Sequence, residues 1–262
     1  MALNRREVLA GLGTAAAAAA LRDVTVGAAP APGGAGFPRK ADFAFEKGVT
    51  YLSGAFTHPM PIAAADAYRD AVNRRGTVGA TPAAGLGASA PRVDPKAAFA
   101  ALINAKPSEI SYIPNTSAGE NLVVECLGIG RLDGNVVTDA LHFEGALLHL
   151  MELRKQGVDL RIVAPRDGRI EMKDLERVVD NRTKLVEVSL VSMYNGFQHD
   201  LKAVCDLAHA HGAYVYADII QAAGAVPIDV RATGVDFAAS ATYKWLMGDF
   251  GLAFFYVRED LL

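Results

Sequence analysis

Asp218 and Lys244 are the charged residues whose surroundings least resemble a solvated surface. Asp218 closes the run Ala213-Tyr214-Val215-Tyr216-Ala217. An acid after such a run is poorly hydrated and calls for a cationic partner, unless it serves only as a loop acid or helix cap. Lys244 lies in Ser240-Ala241-Thr242-Tyr243-Lys244-Trp245-Leu246, 26 positions beyond Asp218. Tyr and Trp neighbours between two apolar runs can lower the pKa of an amine and make it nucleophilic. A structural lysine is the plainer alternative. Asn115-Thr116-Ser117 opens a helix after a short strand. That turn either caps its own helix or offers free N–H groups to a phosphate. His142 follows Val136-Val137-Thr138-Asp139-Ala140-Leu141 and reads equally as a core or capping histidine.

The elements that must position these residues alternate between strand and helix. Ile62 to about Arg74 reads as a helix, and Gly76–Pro91 as a Gly-rich loop. Asp94-Pro95 caps a helix running to about Ala105. Short strands follow at Ile110–Ile113, Val136–Thr138, Leu160–Val163, Leu185–Val191, Tyr214–Ala217, Phe237–Ser240 and Leu252–Val257. Helices are expected between them at Ser117–Leu127, Phe143–Gln156, Met172–Val179 and Leu201–Ala210. This rhythm predicts an α/β fold of three layers: a mostly parallel sheet with helices on both faces. Ligands of such sheets bind at the carboxyl ends of the strands. Thr116-Ser117, Asp139–His142, Ser192–Asn195, Asp218–Gln221 and Ser240–Lys244 all fall there.

Composition narrows the function classes. Basic residues number 26 and acidic ones 29, giving a net charge of −3, so the basic surplus of a nucleic-acid binder is absent. A hydrophobic fraction of 51% against 21% charged residues excludes a disordered chain. Cys126 and Cys205 cannot build a disulfide framework, have no zinc-type spacing, and read as small core residues in helices. The six histidines are scattered, so no metal site is expected. A short-chain nicotinamide reductase would need a Gly-rich turn after the first strand and a Tyr-x-x-x-Lys pair. Neither occurs beyond residue 36.

Residues 1–36 read as an address and linker rather than fold. Arg5-Arg6 precedes an Ala-rich apolar run from Val8 to Leu21 and small residues at Gly27–Ala31, the layout of a twin-Arg signal peptide. The run is too short to span a membrane. Export by the twin-Arg route to the periplasm or beyond, with no membrane segment in the mature form, is the expectation. A frayed Ala-rich helix is the alternative. Gly11-Leu12-Gly13-Thr14-Ala15-Ala16 matches a dinucleotide fingerprint by letters, but no strand precedes it.

The ordered set of a phosphate-type helix start, His142, Asp218-x-x-Gln221 and the hydroxyl-rich turn before Lys244-Trp245-Leu246-Met247-Gly248 resembles the class V aminotransferase family. These are pyridoxal-phosphate enzymes of fold type I, and they include cysteine desulfurases and isopenicillin N epimerase-like proteins. The likeness runs from about Tyr51 to Leu262, so residues 37–262 are expected to form the family's large domain. It implies pyridoxal 5'-phosphate as cofactor, bound as a Schiff base by Lys244, which would also move the proton at the substrate Cα. Asp218 would pair with the pyridine nitrogen and Gln221 with the phenolic oxygen. His142 would stack on the ring. Thr116 and Ser117 would bind the phosphate, with Ser240 or Thr242 adding a hydroxyl. The implied substrate is an amino acid or amine, the implied reaction transamination, epimerisation or lyase chemistry, and the implied assembly a homodimer.

Several positions depart from the family pattern. Ala241 stands where Ser or Thr is usual, Tyr243 where His is common, Met193 where Asn is usual, and Ala118 where desulfurases carry Glu. These departures tilt the reading from cysteine desulfurase toward the epimerase-like branch. His58, in Tyr51-Leu52-Ser53-Gly54-Ala55-Phe56-Thr57-His58-Pro59, falls on the family's substrate-side loop. Family chains continue into a small C-terminal domain beyond the point reached by Leu262, so a fragment or truncated product is expected, with a non-catalytic remnant as the alternative to an enzyme.

Overall fold

The computed structural model describes residues 39–77, 94–130 and 133–262. The expected leader and linker, and all of the Gly-rich loop beyond Thr77, lie outside the described residues. Residues Arg39–Leu262 form one compact unit.

Its centre is a seven-stranded sheet of order β1-β7-β6-β5-β4-β2-β3. The strands are β1 (Ile110–Ile113), β2 (Asn135–Asp139), β3 (Asp159–Val163), β4 (Thr183–Ser189), β5 (Tyr214–Asp218), β6 (Phe237–Ala241) and β7 (Ala253–Val257). Neighbours from β6 to β3 pair in parallel, while β7 runs antiparallel to both β6 and β1. The link from β6 to β7, residues 242–252, is too short for the helical crossover a parallel pair needs, and the reversal follows.

The α-helices among the described residues are α1 (Ile62–Gly76), α2 (Pro95–Leu102), α3 (Thr116–Cys126), α4 (Glu144–Lys155), α5 (Met172–Glu176), α6 (Leu201–Ala210) and α7 (Val230–Thr233). Strand alternation divides the core. Val186, Val188, Val215, Ala217 and Ala238 pack with α2, α5, α6 and α7 through Phe99, Leu175, Val204, Cys205 and Val230. Leu185, Tyr216 and Ala239 pack on the other face with Val123 and Val124 of α3 and Leu150 of α4. Each strand therefore presents its odd and even residues to different helix layers, which gives the expected three-layer fold.

Helix starts follow their caps. The Asp94, Asn115 and Asp200 side chains accept from the amides of Lys96, Ala118 and Ala203. Helix α2 stops at Leu102 rather than about Ala105, because Asn104 adopts φ 57° and Pro107 follows closely. The expected helix to Val179 ends at Glu176. Cys205 is buried as expected, and burial pushes its thiol up to about 12. Cys126 is exposed, not a core residue, because the buried face of α3 is made by Gly119, Glu120, Val123 and Val124.

Candidate active site

Asp218 is the last residue of β5, on the α3 side of the sheet. It is 4% exposed. Its Oδ1 accepts from the Ile220 amide at 2.9 Å. Burial pushes its carboxyl up to about 6, against the opposing pull of that amide and of the Lys244 charge. Lys244 is 8% exposed, and burial lowers its pKa while Asp218 raises it. A partly desolvated amine in the turn after β6 and a buried acid at the end of β5 thus lie close enough for each charge to act on the other.

The lysine turn is held by backbone contacts. The Thr242 hydroxyl reaches the carbonyls of Asp249 at 2.7 Å and Leu252 at 3.1 Å. The Met247 amide donates to the Lys244 carbonyl and the Gly248 amide to Thr242, both at 2.8 Å. Met247 adopts φ 57° to close the turn. A Cβ on Gly248 would come within 2.6 Å of the Thr242 Cβ, so this turn requires glycine there. The Tyr243 and Phe250 rings stack at 4.5 Å on its outer side.

Thr116 begins α3 beside the turn. Its hydroxyl accepts from the Ala241 amide at 3.1 Å, and its carbonyl accepts from the Tyr216 hydroxyl at 3.1 Å. Asn115 takes the Ala118 amide, so the amides of Thr116 and Ser117 have no acceptor among the described residues. These two amides, at the positive end of the helix dipole, can hold an anion near Lys244. The Ser240 hydroxyl is fully buried and donates to the Ala241 carbonyl at 3.1 Å. Ser240 and Thr242, both expected to offer a hydroxyl to phosphate, spend those hydroxyls on backbone carbonyls.

Gln221 lies between two partners. Its Nε2 donates to the Ala55 carbonyl at 3.0 Å, and its Oε1 accepts from the Trp245 indole at 2.9 Å. The segment before α1 is thereby fixed to the lysine turn. The His58 amide donates to the Tyr243 carbonyl at 2.9 Å, and the His58 ring lies 6.2 Å from Trp245. A cavity of about 310 Å³ opens on the outer side of this segment, lined by Phe45, Tyr51, His58 and Pro59 among others.

His142 is 0% exposed. Its Nδ1 lies 2.8 Å from Ser189 Oγ, which also accepts from the Phe143 amide at 3.2 Å. Burial lowers its pKa, opposed by Glu120 and Asp139. No face of the imidazole is open, so a ring stacked on it, as the resemblance implies, requires the side chain to turn first. Nearby, His199 Nε2 approaches Asp139 Oδ2 to 3.1 Å, both buried.

Three groups near the site escape a reading by spacing. Glu120 and Glu187 sit under the sheet ends, and burial with the Glu120 charge pushes the Glu187 carboxyl well up. Tyr216 anchors the α3 start. The available signal for Glu187 was a charge inside the otherwise apolar run Leu185–Val191.

The residues present fit pyridoxal phosphate in type: a partly desolvated amine, a buried acid and anion-receptive amides converge at strand ends. Comparison with known proteins gives this fit a setting. The family model described as Aminotransferase class-V matches residues 61–262. A Methanothermobacter thermautotrophicus protein named "Probable cysteine desulfurase" is 36% identical over 163 residues, 62% of this chain and 40% of the relative. A Bacillus subtilis protein named as an uncharacterized aminotransferase is 32% identical over 163 residues, 62% of this chain and 43% of the relative. The chain thus spans about two-fifths of the length of these curated relatives. Among solved structures, a C-DES mutant with glycine covalently linked to its PLP cofactor superposes with TM-score 0.72 at 19% identity, over 86% of this chain and 60% of that one. At that identity the likeness speaks for the fold.

Proposed function

The chain belongs to the class-V aminotransferase family, and from that premise we propose that it binds pyridoxal 5'-phosphate through Lys244 and acts at the Cα of an amino acid or amine. The observation that carries the reading is that two buried charges act on each other, Asp218 at the end of β5 and Lys244 in the turn after the adjacent strand β6. When bound, the cofactor supplies an aldehyde for the lysine and an electron sink for the bond broken at Cα.

The roles follow from what each residue can do. Asp218 in its ionised form would keep the pyridine nitrogen protonated, because its charge stabilises the cation. The lowered pKa of Lys244 leaves more of its amine unprotonated and able to attack. The same amine, once released, takes or returns the proton at Cα. The Thr116 and Ser117 amides receive the phosphate, and the Thr116 hydroxyl holds the Ala241 backbone. Gln221 would have to give up its Ala55 carbonyl contact to offer its amide to the phenolic oxygen. Thr242 acts by holding the turn and Ser240 from within it, and His142 would stack on the ring once its side chain turned out of the core. His58 lies on the substrate side.

Transamination, epimerisation, lyase chemistry and desulfurisation share these residues and differ in which bond is aligned. The reading extends to a homodimer and to export by the twin-Arg leader. A fractionated host tests the export, and sedimentation tests the dimer. Among the described residues no helix is long and apolar enough to cross a membrane.

The test is spectroscopic. Pyridoxal phosphate added to the purified chain is expected to give a visible absorption band that shifts with an amino acid or amine substrate. Lys244→Ala should abolish the covalent band. A folded wild-type protein with no band rejects the reading, and a band that no amine or amino acid shifts favours a cofactor-binding remnant.

A further inference from the structure

The carboxyl ends of β2 and β4 lead into the segments that border the candidate site. The β2–β4 pairing runs from Asn135 to Val137, two residues before the end of β2 at Asp139. Beyond it, side chains join the two ends. Ser189 Oγ accepts from the Phe143 amide at 3.2 Å, and His199 Nε2 lies 3.1 Å from Asp139 Oδ2. Asp139 and His199 are both buried. Neither belongs to the set that would hold the cofactor.

Each of the two is tied to backbone that leads to a residue of that set. Asp139 Oδ1 accepts from the Leu141 amide at 2.8 Å, and the Asp139 carbonyl accepts from the His142 amide at 3.2 Å. On the other side, the His199 amide donates to the Leu190 carbonyl at 3.0 Å, and the Leu190 amide donates to the Asp218 carbonyl at 2.9 Å. The loop between Leu190 and His199 is closed by the Val191–Gln198 bridge and by the Ser192 amide, which donates to the Phe197 carbonyl at 2.8 Å. The Phe197 ring packs edge-on against the His199 ring at 4.9 Å. Asp139 Oδ2 is enclosed with no aligned hydrogen bond, and among the described residues the His199 imidazole is the ionic neighbour that can donate to it. A buried carboxylate without such a neighbour is strongly disfavoured, so the two residues hold each other in place.

We propose that Asp139 and His199 are positioning residues for the cofactor site, a clasp that sets the backbone of His142 against that of Asp218. The inference rests on the proposed pyridoxal-phosphate function. The clasp acts on main chain, so the His142 side chain stays free to turn toward the ring. Such support matters because misplacing a functional group by about 1 Å can cost about a hundredfold.

The experiment compares wild type with His199→Leu, which keeps an apolar contact for Phe197 and removes the nitrogen, and with His199→Gln, which restores an N–H donor. Without cofactor, His199→Leu should speed amide hydrogen exchange at residues 141–143 and 190–198, with Val186 and Val215 unchanged. In the folded full chain it should weaken pyridoxal phosphate binding, read from the visible band, at least about tenfold, whereas His199→Gln should bind within about threefold of wild type. If His199→Leu does not fold, the double variant Asp139→Asn/His199→Leu leaves no unpaired buried charge, keeps an acceptor for the Leu141 amide, and should show the same loss. A wild type that binds pyridoxal phosphate beside a folded His199→Leu that binds it equally well overturns the clasp alone. So does His199→Gln binding as weakly as His199→Leu, which would leave His199 a packing residue only. Exchange at residues 141–143 that His199→Leu leaves unchanged overturns it too. A folded wild type that takes no pyridoxal phosphate overturns the cofactor reading and the clasp with it.

Discussion

Burial pushes the Asp218 carboxyl up to about 6, whereas an unfolded aspartate titrates near ~3.9. The folded state therefore holds this proton more tightly than the unfolded state. The contribution of Asp218 to stability is fully present below about pH 4 and is lost as pH rises through about 6. At pH 8 the ionised acid costs the cofactor-free fold roughly 3 kcal/mol. Asp218→Asn should therefore raise stability in urea by about 1–3 kcal/mol at pH 8, with the gap closing near pH 4. The same variant should bind pyridoxal phosphate more weakly, and wild-type binding should fall below about pH 6 as the carboxylate is neutralised. Equal urea midpoints at pH 8 would refute a buried, ionised Asp218. Asp218 and Lys244 were legible because charged residues interrupt apolar runs. Glu187 interrupts one too, but its buried neighbours Glu120 and His142 lie 67 and 45 positions away, and no spacing rule links them. Ser240 and Thr242 were legible as hydroxyls near the lysine. Their use on backbone carbonyls depends on how the turn closes, which side-chain chemistry does not specify.

At the scale of elements, the turn from β6 to β7 sets where Lys244 sits. Gly224 adopts φ +90°, and a Cβ there would come within 2.7 Å of the Trp245 carbonyl oxygen. Gly224→Ala should destabilise the fold by about 1–3 kcal/mol, read as a lowered urea midpoint. Thr242→Val removes the hydroxyl that reaches Asp249 and Leu252. It should cost about 1 kcal/mol and lower the affinity for pyridoxal phosphate, since a looser turn holds the amine less well. Unchanged affinity at reduced stability would separate the tether from the site. Caps at Asp94, Asn115 and Asp200 made helix starts readable, because one side chain and one amide decide them. Helix ends were less readable, as at α2, where the left-handed Asn104 stops the chain early. Parallel order was visible in the strand–helix alternation, while the reversed β7 follows from the length of one link.

At the scale of the whole molecule, the segment before α1 and the sheet meet at the site. Gln221 bonds Ala55 and Trp245 at once, and the His58 amide bonds Tyr243. Gln221→Ala should speed amide hydrogen exchange at residues 54–58 relative to wild type, with strands β4 and β5 unchanged. Equal exchange rates would mean that the segment is held without Gln221. This join was only half legible. The likeness of Tyr51–Pro59 to a substrate-side loop placed it near the site, but its bonds to Gln221 and Tyr243 connect residues more than 160 positions apart. The three-layer fold was legible throughout the described sheet, because period-two strands and capped helices each carry their own signal.

The central claim is that Lys244 is the amine that bonds the cofactor. The direct measurement is borohydride reduction of the pyridoxal-phosphate-treated chain, followed by peptide mapping by mass spectrometry. The account predicts one dominant phosphopyridoxyl-lysine at Lys244, with exposed lysines such as Lys155 and Lys173 modified only at high reagent excess. Label spread evenly over surface lysines, with Lys244 unmodified in folded protein, would contradict it.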